Sequence, residues 1–415
     1  MVVKPNSETH SMLILSHPAI FALELTSACH HRCIGCSNVF PMRDVRVLDA
    51  CQWQSLLSHI IPGAVQIRLT GGEPTLHPEF FEILDYAADS DALVAVFTNG
   101  RWAAPLDFVR RVKRHDNASL LVSLHGARPE SHGAFTRAPG TFAEIVANIR
   151  LAVQHGLRVT LSCVVTRYNW QEIEQVAALT TDLGADLVTF PRYMGKPLPE
   201  VELTPTQLRE VTQRIEALIA NNTLVQHSTC LPQCLAPNDS EGCHAGVAYV
   251  AVDPQGNLRP CTFSPTVIGS LFEHSLHDLW HSVAMDAWRD LMPVECISCA
   301  AYALCHGGCR AMIELRPERR DPLRGEPLSE YIAPPRNRQL PANAKPQRHF
   351  RIRQESFGYA LLGVGQVVPV AAAALPVLEA CDGTASFAQI GELFGQPALD
   401  LLGELWERGM LIPAR

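Results

Sequence analysis

The chain has 415 residues, 47% of them hydrophobic, and a formal net charge of −8. That length exceeds one ordinary core and points to two or three domains. The acidic balance excludes a basic nucleic-acid surface, and no apolar run approaches the roughly 18 residues of a membrane span, so neither nucleic acid nor membrane is expected as a partner.

Met12–Leu25 is apolar but broken by His17 and Pro18. It lacks the basic start and small-residue cleavage site of a signal peptide, so it reads as the entry to a first strand and the protein as cytoplasmic. From residue 20 to about 222, strand-like runs alternate with helical patterns. The strands expected are Ile20–Leu25, Gln66–Leu69, Leu93–Phe97, Ser119–Leu124, Val159–Val165 and Leu187–Phe190. Thr141–His155 is expected as a helix because Phe142, Ile145, Val146, Ile149, Ala152 and Val153 share one face. Strand–helix alternation repeated six times predicts an α/β fold with a parallel sheet, either a barrel, complete or partial, or an open doubly wound sheet.

From about 223 to 314 periodicity fades and cysteines become dense. Residues 315–348 hold seven prolines, eight Lys/Arg and four Asp/Glu, the composition of a tether or extended spacer. From 349 to 415 a globular pattern returns. Short strands are expected at Phe350–Arg353, Tyr359–Leu362 and Gln366–Pro369, and helices at Ala371–Cys381, Ser386–Phe394 and Pro397–Arg408.

Eleven of the fourteen cysteines fall in three tight groups, a pattern that favours metal over disulfides in a long chain without an export signal. The first group is Cys29, Cys33 and Cys36, spaced C-x3-C-x2-C after the first strand. Three thiolates on one short loop can hold three irons of a cubane and leave the fourth open. Structural zinc is the alternative, with His30 or His31 as a fourth ligand. Of the lone cysteines, Cys51, Cys163 and Cys381 read as core residues.

The first group resembles the signature of the radical S-adenosylmethionine (SAM) superfamily. The resemblance extends to Thr70-Gly71-Gly72-Glu73-Pro74 after strand two, Thr98-Asn99-Gly100 after strand three, Ser123-Leu124-His125-Gly126 after strand four, and the later run Arg137–Phe142. Each motif is weak alone, but together they fall after the strands' C-terminal ends, where barrel folds place catalytic groups. The resemblance implies a partial (β/α)6 TIM-type barrel over residues 1–222 and a [4Fe-4S] cluster on Cys29, Cys33 and Cys36. It implies SAM held near Gly71, Gly72, Glu73, Pro74, Asn99, Ser123, His125 and Arg137. It further implies reductive cleavage of SAM to a 5′-deoxyadenosyl radical that abstracts hydrogen, fed by a flavodoxin- or ferredoxin-type electron donor. One departure is Gly35, where many relatives have an aromatic residue before the third cysteine.

Cys243-x12-Gly256-x4-Cys261, followed by Cys296, Cys299, Cys305 and Cys309 spaced C-x2-C-x5-C-x3-C, resembles the SPASM auxiliary-cluster domain, here residues 223–314. Six of that pattern's seven cysteines are present. The resemblance implies one or two auxiliary clusters. The first would use Cys243, Cys261, Cys309 and either Cys230 or Cys234; the second would use Cys296, Cys299 and Cys305 with its fourth ligand unassigned. Two structural zinc sites are the alternative reading.

Residues 349–415, through Leu378–Gly383, the helix Phe387–Phe394 and Leu405–Leu411, resemble a PqqD-like peptide-recognition element, a small winged-helix-like α+β module. This implies a leader peptide captured by strand addition, with Gln366–Pro369 as the candidate edge. DNA binding is disfavoured because Asp400, Glu404 and Glu407 face only Arg408 on the last helix.

The expectation is a radical SAM peptide maturase acting on a ribosomally made precursor peptide. Alternatives are a radical SAM/SPASM enzyme acting on a protein side chain, tetrapyrrole or other small molecule, and a non-catalytic iron–sulfur or zinc scaffold that binds a peptide. A sulfatase-maturase role is weakened by Thr262, since those relatives carry an aspartate after the cluster cysteine. Arg192 and Tyr193 stand as candidate substrate contacts.

Overall fold

The computed structural model describes residues 12–36, 47–221, 224–227, 231–236, 242–330, 340–363 and 365–414. Six parallel strands form its spine: β1 (Ile20–Thr26), β2 (Gln66–Gly71), β3 (Leu93–Thr98), β4 (Ala118–Ser123), β5 (Val159–Ser162) and β6 (Leu187–Thr189). β7 (Val225–Gln226) continues one edge. β8 (Tyr249–Val252) pairs parallel to β1 on the other, followed by antiparallel β9 (Asn257–Arg259) and β10 (Gly269–Ser270). The cysteine-rich region therefore begins as an extension of the barrel sheet.

The expected strands all form, because each offers apolar side chains to the helical layer. Phe21, Leu23 and Leu25 of β1, Ile67 and Leu69 of β2, and Val94 and Val96 of β3 are buried there. Asp49 caps the helix α1 (Ala50–Ile60) in a capping box with Gln52, and Trp53, Leu56, Leu57 and Ile60 are its buried face. In α5 (Phe142–Gln154) the apolar stripe is present, but Asn148 also lies inward, where its amide donates to the Gly100 carbonyl at 2.8 Å.

The C-terminal unit has a three-stranded antiparallel sheet in the order β12 (Arg351–Glu355), β13 (Gly358–Gly363), β14 (Gln366–Val370). Helices Leu375–Glu379, Phe387–Phe394 and Gln396–Glu407 cover one face, and β11 (Pro346–Arg348) pairs with β15 (Leu411–Pro413). Its sheet docks at the N-terminal ends of the barrel strands. Arg351 donates to the carbonyls of Pro62 and Ala64, Arg353 to that of His17, and Gly365 lies against Leu93.

Residues 316–328 are not a free tether. Asp321 is fully buried and accepts both guanidinium nitrogens of Arg192, at 2.7 and 2.6 Å, together with the N–H of Cys309 at 3.0 Å. Arg192 is thereby held in place by Asp321, and it also lines a cavity beside the ends of β5 and β6. Among the lone cysteines, Cys163 and Cys381 are buried, but Cys51 is exposed on α1, contrary to its reading as core.

Replacing Asp321 by Ala removes the buried carboxylate that pairs with the Arg192 guanidinium. The expected cost is about 3–5 kcal/mol. It is measured as a lowered midpoint in anaerobic denaturant unfolding, with new proteolytic cleavage within residues 316–328.

Candidate functional site

The loop after β1 carries Cys29, Cys33 and Cys36, and neighbouring elements hold it by main-chain bonds. The N–H groups of Arg32 and Ile34 donate to the carbonyls of Thr136 and Phe135, at the end of α4 (Pro129–Thr136). From the other side the β2 loop presses in. Gly72 N–H donates to Thr26 O at 2.7 Å and Glu73 N–H to Ala28 O at 2.8 Å. A Cβ on Gly72 would lie 2.3 Å from Ala28 O, so only glycine allows this approach.

Glu73 ties the loops of β2 and β3 together. Its fully buried carboxylate accepts from Thr75 N–H and O–H, Thr98 O–H and Asn99 N–H. Burial raises its pKa above the usual carboxylate value, and these four donors oppose that rise. They occupy the carboxylate, with Pro74 opening the short turn behind it. Asn99 in turn aims its amide at Cys29 Sγ, 3.8 Å away.

Ser123 is half-buried at the end of β4, and Arg137 is exposed, closing α4 in the left-handed conformation (φ 53°). His125 is buried. Its Nδ1 accepts from Val164 N–H at 3.2 Å, which leaves the proton on Nε2 as a donor. Its own N–H donates to Nδ1 of His132, whose ring stacks 6.1 Å from it. The buried ring nitrogens His31 Nε2 and His132 Nε2 have no hydrogen-bond partner among the described residues. Burial keeps these imidazoles neutral, pushing His125 down to about 3 and His132 to about 4.

The missing aromatic at Gly35 is supplied from elsewhere. Gly35 sits at φ +76°, and a Cβ there would lie 2.6 Å from the ring of Tyr193, which comes from the loop after β6. Tyr193 and Asp321 lie far in sequence from Gly35 and Arg192, whereas His132 lies seven positions from His125. The sequence marks Tyr193 only as a candidate substrate contact, and nothing in the linear pattern marks His132 or Asp321.

The other cysteines form two sets. Cys261 lies near Cys243 and Cys309, and Cys309 Sγ is 3.7 Å from Met194 Sδ. Arg259, just before Cys261, forms a buried ion pair with Glu24 of β1 at 2.9 Å. Cys296, Cys299 and Cys305 line a second cavity, and Cys234 lines it with them. Cys234 thus lies with the second set, whereas the sequence reading offers Cys230 or Cys234 to the first. Cys230 lies outside the described residues.

The donor chemistry fits iron–sulfur clusters. Burial pushes the thiols of Cys33 and Cys261 upward and that of Cys305 up to about 11, so they ionise only with a cation to ligate. Tetrahedral zinc, with bonds of 2.3 Å, would need sulfurs about 3.8 Å apart. Among the described residues, only His17, His277 and His281 bring three potential ligand atoms within 4.8 Å of one another, and no cysteine triad does. Sulfurs so spread suit ligation to separate irons. Beside the ends of β5 and β6 lies a cavity of about 80 Å³, lined by Val165, Tyr193, Glu202, Met312 and Arg316 among others.

Residues 23–180 match the Radical SAM superfamily, and residues 243–310 match SPASM, an iron–sulfur cluster-binding domain. The chain is 30% identical to the mycofactocin maturase MftC of Mycobacterium ulcerans, over 72% of this chain and 84% of that protein. It is 25% identical to the AdoMet-dependent heme synthase of Methanosarcina barkeri, over 71% and 91%. Its fold matches Streptococcus suis SuiB, solved with its precursor peptide SuiA, at TM-score 0.64 and 17% identity, over 72% and 73% of the two chains.

Two outcomes are expected. Gly72→Ala forces the two loops apart and lowers the iron bound at the first cluster and the affinity for SAM by at least tenfold, read by iron assay and equilibrium dialysis. His125 and His132 have folded pKa values below the unfolded value of about 6.5, so the unfolded chain binds more protons below that pH. Their contribution is complete above pH 6.5 and is lost as pH falls toward about 4, on the order of 1 kcal/mol per histidine per pH unit. Unfolding midpoints against pH check this, with a shallower slope expected for His132→Gln.

Proposed function

We propose that this chain, which belongs to the radical SAM superfamily and carries a SPASM iron–sulfur domain, is a peptide maturase. It is a radical SAM enzyme with SAM and iron–sulfur clusters as cofactors. SAM bound at the first cluster supplies a carbon-centred radical that removes hydrogen from the substrate. Cys29, Cys33 and Cys36 would hold that cluster, and Asn99 would orient Cys29. The loop Gly71–Pro74, Ser123, the Nε2–H of His125 and Arg137 are the proposed SAM contacts. A flavodoxin- or ferredoxin-type protein is the proposed electron donor.

The observation that carries the peptide reading is the open edge of the C-terminal sheet. Among the described residues β14 pairs only with β13. Its Pro369 has no N–H and sits in the outward phase, as proline does on an edge strand. In that phase Val367 supplies the outward N–H between Gln366 and Val370. A leader peptide could add there as a further strand, which is the binding mode of a PqqD-like element. The maturase MftC and the peptide-bound SuiB support the same reading.

The docking of this unit adds a constraint. It contacts the N-terminal ends of β1–β3, whereas the first cluster loop follows the C-terminal end of β1. Seven strand residues span roughly 20 Å. The modified residue of the peptide must therefore lie at least about six extended residues from the anchored segment.

The test is binding of short peptides encoded near the gene to the anaerobic full chain. Val367→Pro is expected to weaken binding at least tenfold while leaving SAM cleavage intact. Cys33→Ala is expected to abolish cleavage and leave binding intact. If no peptide binds, or Val367→Pro binds as the parent does, the edge is not a leader reader and a tetrapyrrole or other small molecule becomes the substrate to test.

A further inference from the structure

The SPASM-like pattern lacks its last cysteine, and the sequence offers no downstream replacement. Cys381 is fully buried in the C-terminal core, where its Sγ donates to the Val377 carbonyl. We propose that Cys234, upstream of the pattern, is the fourth thiolate of the second auxiliary cluster, beside Cys296, Cys299 and Cys305. The inference rests on the iron–sulfur reading of this domain, not on the identity of the substrate.

Three observations carry it. First, the four cysteines line one cavity, closed over by Tyr302, Arg324 and Pro327. Secondly, each of the four sulfurs has its own donor. Gly325 N–H points at Cys234 Sγ (3.1 Å), Leu328 N–H at Cys299 Sγ (3.3 Å), Gln233 N–H at Cys305 Sγ (3.4 Å), and the Arg324 guanidinium at Cys296 Sγ (4.0 Å). Donors aimed at every sulfur are the environment that sets the potential of a cluster held by four thiolates. Thirdly, two chain segments meet at the cavity. Residues 231–236 bring Cys234 and the donor of Cys305, while residues 321–328 bring the donors of the other three. The Arg192–Asp321 pair fixes the second segment to the barrel.

A cluster with four thiolates has no open iron. The second auxiliary cluster then passes electrons and does not bind the substrate. Ligation needs no redox step: each thiol gives up its proton to solvent as its sulfur bonds an iron.

The test uses the full chain, reconstituted anaerobically, in a Cys29→Ala/Cys33→Ala/Cys36→Ala background that keeps only the auxiliary clusters. Iron, zinc and sulfide are counted per chain, and the clusters are followed by Mössbauer and electron paramagnetic resonance spectroscopy. Adding Cys234→Ala is expected to remove about four irons or convert that cluster to a three-iron form, while Cys230→Ala leaves the second cluster's signal unchanged. Cys234→Asp offers an oxygen ligand in place of sulfur. It is expected to retain the iron with an altered spectrum and reduction potential, which separates lost ligation from lost folding. Unchanged iron and spectrum in both Cys234 variants overturn the assignment, as does loss of the second cluster in Cys230→Ala instead. Zinc in place of iron in the parent background overturns the iron–sulfur reading itself.

Discussion

Buried thiols are the constraint on which the catalytic half of the molecule depends. A thiol in an apolar interior resists ionisation, and burial pushes those of Cys33, Cys261 and Cys305 well above the ordinary value. Thiolates become stable there only when a cation compensates them, so metal binding and folding of the cysteine-rich region are one equilibrium. This fits the short strands and helices of residues 242–330. It also explains why backbone N–H groups of Gln233, Gly325 and Leu328 point at sulfur rather than at carbonyls.

The first cluster loop is positioned by a different device, the close approach of backbone to backbone. Gly72 lets the β2 loop sit on the carbonyls of Thr26 and Ala28, and the Glu73 carboxylate draws the β3 loop onto the same point. Asn99 and Cys29 meet as a result. The Gly-Gly-Glu-Pro run is therefore a mortise between loops as well as the proposed contact surface for SAM. Tyr193 completes the packing by filling the space over Gly35 from the far side of the sheet.

The C-terminal unit and the cluster loop lie at opposite ends of β1, so the proposed peptide recognition and the chemistry have separate places. Docking of that unit by Arg351 and Arg353 onto main-chain carbonyls is independent of any substrate. A peptide held on β14 must run the length of the barrel strands to reach the first cluster, so the spacing between its anchor and its modified residue is set by the fold.

Periodicity and cysteine spacing by themselves determined the six parallel strands, the C-x3-C-x2-C loop at the end of the first and the three strands and helices at the C-terminus, because each is written in contiguous residues whose side chains must alternate, cluster or turn locally. Tertiary structure alone decided what depends on residues far apart in the chain. Asp321 was read as part of a tether, yet it is buried against Arg192, 129 positions away. Cysteine spacing leaves Cys230 or Cys234 to join Cys243 and Cys261, but the cavity that Cys234 lines belongs to Cys296, Cys299 and Cys305. The ring over Gly35 comes from Tyr193. In each case the pairing is fixed by which loops the sheet brings to one end, and a linear pattern carries no trace of that.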